Sequence, residues 1–158
     1  MADPLDPRRV LATGDALLIV DVQNDYCPGG AHPVPAGDAV VPVLNRWLRA
    51  AREKGIPVFV SRDWHPIDHR SFAPQGGPRP PHCVQGTDGA ALHPDLQVPG
   101  NAVLLSKGDD AGHDAHSAFD GTRLAERLRR RIDSLRTASY ALAIERVAHA
   151  YLELGIFP

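Results

Sequence analysis

Residues 16–60 read ALLIVDVQNDYCPGGAHPVPAGDAVVPVLNRWLRAAREKGIPVFV. The stretch opens with the apolar run Ala16 to Val20 and closes with Val58 to Val60. Short apolar runs bounded by turn residues are the pattern of strands buried on both faces of a parallel sheet. Between them lies a helix signal: Asp38 is placed to cap it, and Pro42 falls in its first turn. Val41, Leu44, Leu48 and Ala51 recur at helical spacing, and Gly55 stops the helix ahead of Ile56 and Pro57. Strand, helix, strand is a right-handed crossover unit, so this stretch predicts an α/β fold built on a parallel sheet. A further run, Ala102 to Leu105, supplies a third strand after a long loop.

Outward from that unit, the chain of 158 residues is 43% hydrophobic and 23% charged, ordinary usage for a single soluble domain over 1–158. Its 14 glycines and 15 prolines gather in residues 27–37 and 74–100, which are therefore loops. Loops of that length inside a compact domain usually carry function. A net charge of -2 leaves no basic field for gripping phosphate backbones, so no nucleic-acid partner is expected. No apolar run approaches the roughly 20 residues of a membrane span, and the start MADPLDPRR lacks the apolar core of a signal peptide. Two cysteines, Cys27 and Cys83, are too few to staple a secreted fold. A cytoplasmic protein with no membrane partner is the expectation.

In an open parallel sheet, ligands bind beyond the carboxyl ends of the strands. The residues following the three apolar runs are Asp21, then Asp63 with His65, then Lys107. Any one of them alone reads as a solvated strand end, but three at one rim point to a site. Asp63-Trp64-His65 puts a carboxylate and an imidazole at i and i+2, on one side of an extended segment. His69 and His82 follow. One carboxylate with two or three imidazoles suits Zn, Fe or Mn with an open coordination position, and the plainer alternative is a polar surface loop. His113 and His116 have nothing to place them and read as solvated loop histidines. Asp21 opposite Lys107 is either an ion pair that closes the sheet end or, beside a nucleophile, an acid and an ammonium that activate a thiol or water.

Five stretches carry a resemblance: ALLIVDVQNDYCPGGAHPVPAGDAVVPVLN, VFVSRDWHPIDHRSFAPQGG, PPHCVQGTDGAALHPDL, VLLSKG and DAHSAFDGTRLAERLR. Over roughly residues 15–131 the chain resembles the nicotinamidases (pyrazinamidase-type) of the isochorismatase-like cysteine hydrolase family. The resemblance implies a three-layer parallel-sheet fold and the hydrolysis of nicotinamide to nicotinate and ammonia in NAD salvage. It implies a divalent metal (Zn, Fe or Mn) that orients the pyridine ring while a cysteine thiolate attacks the carboxamide. By position, it makes Asp21 the catalytic acid/base, Lys107 its charged partner, Asp63, His65, His69 and His82 the metal ligands, and Tyr26 a wall of the substrate pocket.

Against that pattern the chain departs in three places. The family continues after LAERLR into a fourth strand and its nucleophilic cysteine, whereas residues 129–158, RRRIDSLRTASYALAIERVAHAYLELGIFP, hold no cysteine. The nucleophile and the oxyanion donors of that turn, each donor worth about 10²–10³ in rate, are therefore expected to be missing, with Cys27 and Cys83 as small packing residues. Arg79 stands where relatives carry an aromatic that stacks on the substrate ring. From Thr122 to Leu154 there is neither glycine nor proline, which predicts a long terminal helix of about 50 Å. The expectation is a C-terminally incomplete domain with an atypical tail, 132–158, from a frameshift or truncation. The family sheet has about six strands, so three would leave Ala16 to Val20 as an exposed edge that invites a homo-oligomer. A catalytically inactive metal-binding remnant is the alternative to an active amidase.

Overall fold

The computed structural model describes residues 6–131. A short helix α1 (Pro7–Val10) leads into strand β1 (Leu17–Val20), and helix α2 (Val41–Glu53) crosses over to β2 (Val58–Asp63). After the proline-rich loop come β3 (Val103–Lys107) and helix α3 (Leu124–Arg131). The expected continuation of the last helix and the atypical tail lie outside the described residues. Among those described, no helix is long and apolar enough to cross a membrane.

The sheet is parallel, in the order β1-β2-β3, with Ile19 opposite Val60 and Val60 opposite Leu104. Period-two alternation sorts its side chains into two cores. Leu17, Ile19, Val58 and Val60 pack on Leu48, Ala50 and Ala51 of α2, joined by Leu96 from the long loop. On the opposite face Phe59 and Leu105 pack on Ala118 and Leu124, with Leu18, Val103 and Leu128 partly buried against them. Helix, sheet and helix make the three layers.

Three local expectations are corrected. Asp38 does not cap α2: it lies inside a 3-10 turn, Gly37–Val40, that runs directly into the helix, and no side chain caps the N-terminus. The turn's own carbonyls take the first free N–H groups, as when Val41 donates to the Asp38 oxygen, so a side-chain cap has nothing left to do there. Gly55 does stop the helix, at φ 65°, with Ile56 N–H donating to the Ala51 carbonyl at 2.9 Å in a Schellman closure. The strands also run further than their apolar runs, so Asp63 and Lys107 are the last residues of β2 and β3 and do not lie beyond them. Finally, β2 is covered on both faces but the flanking strands less so. Leu104, on the α2 side of the sheet yet outside the core that α2 covers, is 47% exposed.

Candidate metal centre

Register brings the first pair together. Asp63 and Lys107 are direct partners in the parallel ladder, and the Lys107 Nζ lies 2.5 Å from Asp63 Oδ1. Asp21 reaches the same ammonium by a different route. Alternation from Ile19 would point it toward α2, but its backbone is left-handed, at φ 53°. Its carboxylate therefore lies on the other face, where Ser61 Oγ donates to Oδ1 at 2.7 Å and Lys107 Nζ lies 2.8 Å from Oδ2. Aspartate is among the few side chains that tolerate this conformation, because its short polar group bonds locally.

A part-buried carboxylate and a buried one thus share one buried ammonium, and they are not equivalent. Burial pushes the Asp21 carboxyl up, more than Lys107 pulls it down, and the Asp63 charge adds to the rise. Burial acts upward on Asp63 too, but the charge and hydrogen bond of Lys107 and the hydroxyl of Tyr26 outweigh it and hold that carboxyl below its ordinary value. For Lys107, burial is overcome by the two aspartates, so its pKa is raised and it stays an ammonium. Tyr26 donates its hydroxyl to Asp63 Oδ2, and burial beside that carboxylate raises the phenol well above its usual value.

Next to this trio, Asp63, His65 and His82 each turn a donor atom into one space, all within 4.8 Å of one another and all buried. The tautomers follow from backbone partners. His65 Nδ1 faces the His82 carbonyl at 3.2 Å, and His82 Nδ1 faces the Pro80 carbonyl at 2.8 Å. A carbonyl only accepts, so each Nδ1 carries the proton and each Nε2 keeps a lone pair, the arrangement in which outer-shell carbonyls orient metal-binding imidazoles. Burial holds His65 down at about 4 and also lowers His82, so both rings are neutral, as ligation requires. Gly108, left-handed at φ 65°, leaves the room: a Cβ there would stand 2.8 Å from His65 Nε2. One carboxylate and two neutral imidazoles around a cradle of this kind fit a borderline divalent ion such as Zn, Fe or Mn.

His69, the fourth ligand expected, is not part of that triangle. Its ring is fully buried, 4.4 Å from that of His65 between centroids. Its Nε2 donates to the His113 carbonyl at 3.0 Å and its Nδ1 faces Ser71 Oγ at 2.8 Å, so both nitrogens are engaged. His113 is thus used through its backbone while its ring, 2.9 Å from Asp120, stays exposed.

A cavity of about 360 Å³ opens on the site, a volume suited to a small molecule. Asp21, Tyr26, Asp63, His65, His82 and Lys107 all line it. Arg79 also lines it, paired with Asp114 at 3.1 Å, and so does His116, 3.3 Å from the same aspartate. Asp114 escaped the sequence reading, and His116, read there as a solvated loop histidine, lines the cavity instead, because a loop with no periodicity delivers both. Of the two thiols, Cys27 lines the cavity and Cys83 does not, and burial pushes both up, away from thiolate.

Comparison with known proteins adds a family model, the Isochorismatase domain, that matches residues 15–137. The chain is 43% identical over 119 residues to the nicotinamidase of Escherichia coli, covering 66% of this chain and 56% of that protein. It is 36% identical over 131 residues to the nicotinamidase of Acinetobacter baylyi, covering 73% and 59%. Among solved structures, the pyrazinamidase of Pyrococcus horikoshii in complex with zinc is similar at 46% identity and a TM-score of 0.72, over 74% of this chain and 64% of that one. The chain thus spans less than two thirds of the length of each of these relatives.

Proposed function

Because the chain belongs to the isochorismatase family, we propose that its cavity is a nicotinamidase-type site, a metal-dependent amidase centre for the conversion of nicotinamide to nicotinate and ammonia in NAD salvage. One observation carries this reading: the Lys107 ammonium lies between Asp21 and Asp63, at 2.8 and 2.5 Å, in the same cavity that His65 and His82 line. The nicotinamidases among the relatives support the substrate, and the zinc in the Pyrococcus horikoshii structure favours zinc as the ion. A soluble substrate of this kind agrees with a cytoplasmic setting.

Asp63, His65 and His82 would hold the divalent ion, and His69 would join them in the tautomer whose proton sits on Nδ1, facing Ser71 Oγ, with Nε2 released from the His113 carbonyl. When bound, the ion supplies a Lewis-acid anchor for the ring nitrogen of a pyridine amide. Asp21 is the acid/base: its raised carboxyl pKa makes it a better proton acceptor from the attacking group than an ordinary aspartate, and it returns that proton to the leaving ammonia. Lys107 keeps a fixed positive charge beside it, which favours negative charge as it develops on the substrate. Tyr26 walls the pocket and orients Asp63 through its hydroxyl.

A second reading, binding of metal and amide without turnover, is favoured by the state of the thiols. Cys27 and Cys83 are the chain's two cysteines, and burial keeps both protonated. Ammonia release from nicotinamide by the full chain with added Zn²⁺, set against Asp21→Asn, separates the two. Release well above that variant supports the amidase. Stoichiometric zinc with no release above the variant supports binding alone, and absence of both zinc binding and release overturns the site.

A further inference from the structure

We propose that the turn after β1, residues 23–26, is the device that assembles the metal centre, with Gln23 and Asp25 as positioning residues for Asp63 and His82. The inference rests on the metal reading above and assigns work to side chains that are not ligands.

Gln23 is fully buried and spends its amide on peptide groups. Its Oε1 accepts the Asp63 N–H at 2.7 Å, and its Nε2 donates to the Asp63 carbonyl at 2.8 Å and the Ala90 carbonyl at 2.9 Å. Beside β2, strand β1 has already ended, its last partner pair being Val20 with Ser61. Gln23 thus stands in for a peptide of the missing strand and adds one rung to the ladder where the ligand is attached. Without it, three buried backbone groups would lose their partners.

Asp25 acts on the other ligand. Its Oδ2 accepts the N–H of Cys83 at 2.7 Å, and its Oδ1 accepts that of Ala31 at 3.0 Å. Cys83 follows His82 directly and is left-handed at φ 47°, a conformation that costs a side chain of this type and needs support. Its carbonyl in turn accepts the His65 N–H at 3.0 Å, so the segment Asp25 pins also holds His65. The carboxylate fits only because residue 89 is glycine: a Cβ there would lie 2.2 Å from Asp25 Oδ2. His65 and His82, 17 residues apart in the chain, touch directly, with His65 Nδ1 facing the His82 carbonyl at 3.2 Å, and Asp25 pins the segment that makes this contact.

The test uses the full chain and Zn²⁺ alone, with affinity read by competition against a chromophoric chelator and folding read as Tm. Gln23→Met and Asp25→Asn are each expected to weaken zinc binding by about 10–100-fold, the range for outer-shell partners. Leu48→Ala, which opens the core under α2, is the control. It should lower Tm at least as far yet leave zinc affinity within about twofold, since distant sites act independently. Gln23→Glu keeps an acceptor for the Asp63 N–H but sets a buried carboxylate oxygen against the Asp63 and Ala90 carbonyls, and should weaken zinc binding at least as far as Gln23→Met. Asp25→Asn, on a less buried side chain, carries the test if Gln23→Met does not fold. Unchanged affinity in the folded variants, or an equal loss in Leu48→Ala, overturns the inference while zinc binding by the unaltered chain upholds the metal reading. No binding by the unaltered chain overturns both.

Discussion

The sheet and the loops each deliver part of this site, and they do so by different means. Asp63 and Lys107 are ladder partners, so the hydrogen bonds that align Val60 with Leu104 also align the buried charges. His82 sits in a loop and is held by individual contacts: its own Nδ1 on the Pro80 carbonyl and the Cys83 N–H on Asp25. Charges that must meet in a poorly solvated place are set on rigid elements, where misplacement by an ångström would be costly. The imidazoles need only a direction and a tautomer, which single carbonyls provide.

That contrast can be broken most forcefully at Lys107. Lys107→Met removes the ammonium and leaves the buried Asp63 carboxylate unpaired beside the part-buried Asp21, with an expected loss on the order of 3–5 kcal/mol and a fall in Tm of roughly 10 °C or more. A urea or thermal melt reads it directly, and a loss below about 1 kcal/mol would show that the sheet-held pair is not buried as described.

Acid should act on the loop-held side. In the metal-free chain His65 has its pKa lowered from 6.5 to about 4, and His82 is lowered as well. The unfolded chain therefore binds more protons than the folded one across that window. Stability is full above pH 6.5 and falls as pH drops toward about 4, by up to about 3 kcal/mol for His65. Asp63, with a lowered carboxyl, adds to the loss at the acid end, while Asp21, with a raised one, gains stability on protonation and offsets part of it. Urea midpoints at pH 7, 5.5 and 4.5 that coincide would contradict a neutral buried His65.

Smaller effects sharpen the division among the loop histidines. His65→Ala should weaken zinc binding by at least about 100-fold, and His69→Ala by less than about tenfold, because the His69 nitrogens are committed to Ser71 and to the His113 carbonyl. Equal losses would make His69 a full ligand. Least of all, Arg79→Ala breaks a partly exposed pair with Asp114 and should change Tm by an amount worth under about 1 kcal/mol.

The same division explains what was legible in the chain. Asp21, Asp63, His65 and Lys107 could be placed at one rim because apolar runs mark strands, and strands in a parallel sheet end together. His82 could be named only as one more histidine following Asp63 and His65, and Tyr26 came from resemblance alone, since a loop has no period. The work of Gln23 and Asp25 stayed hidden because their partners are peptide groups, which every residue possesses. For the same reason the chain gave no sign that His69 also has a backbone partner, the carbonyl of His113, 44 residues further on. Asp38 failed as a cap because a backbone turn had taken its place, and the rim position of Asp21 was visible while its facing was not.

That facing has a consequence for anyone who wishes to transplant the centre. The aim of the Asp21 carboxylate resides in main-chain torsion, φ 53°, and not in a choice of rotamer. Copying the acidic and basic groups onto a regular parallel scaffold would leave this one pointing at the wrong layer. A faithful graft must import the kinked peptide too, and valine, isoleucine or threonine at position 21 would straighten it.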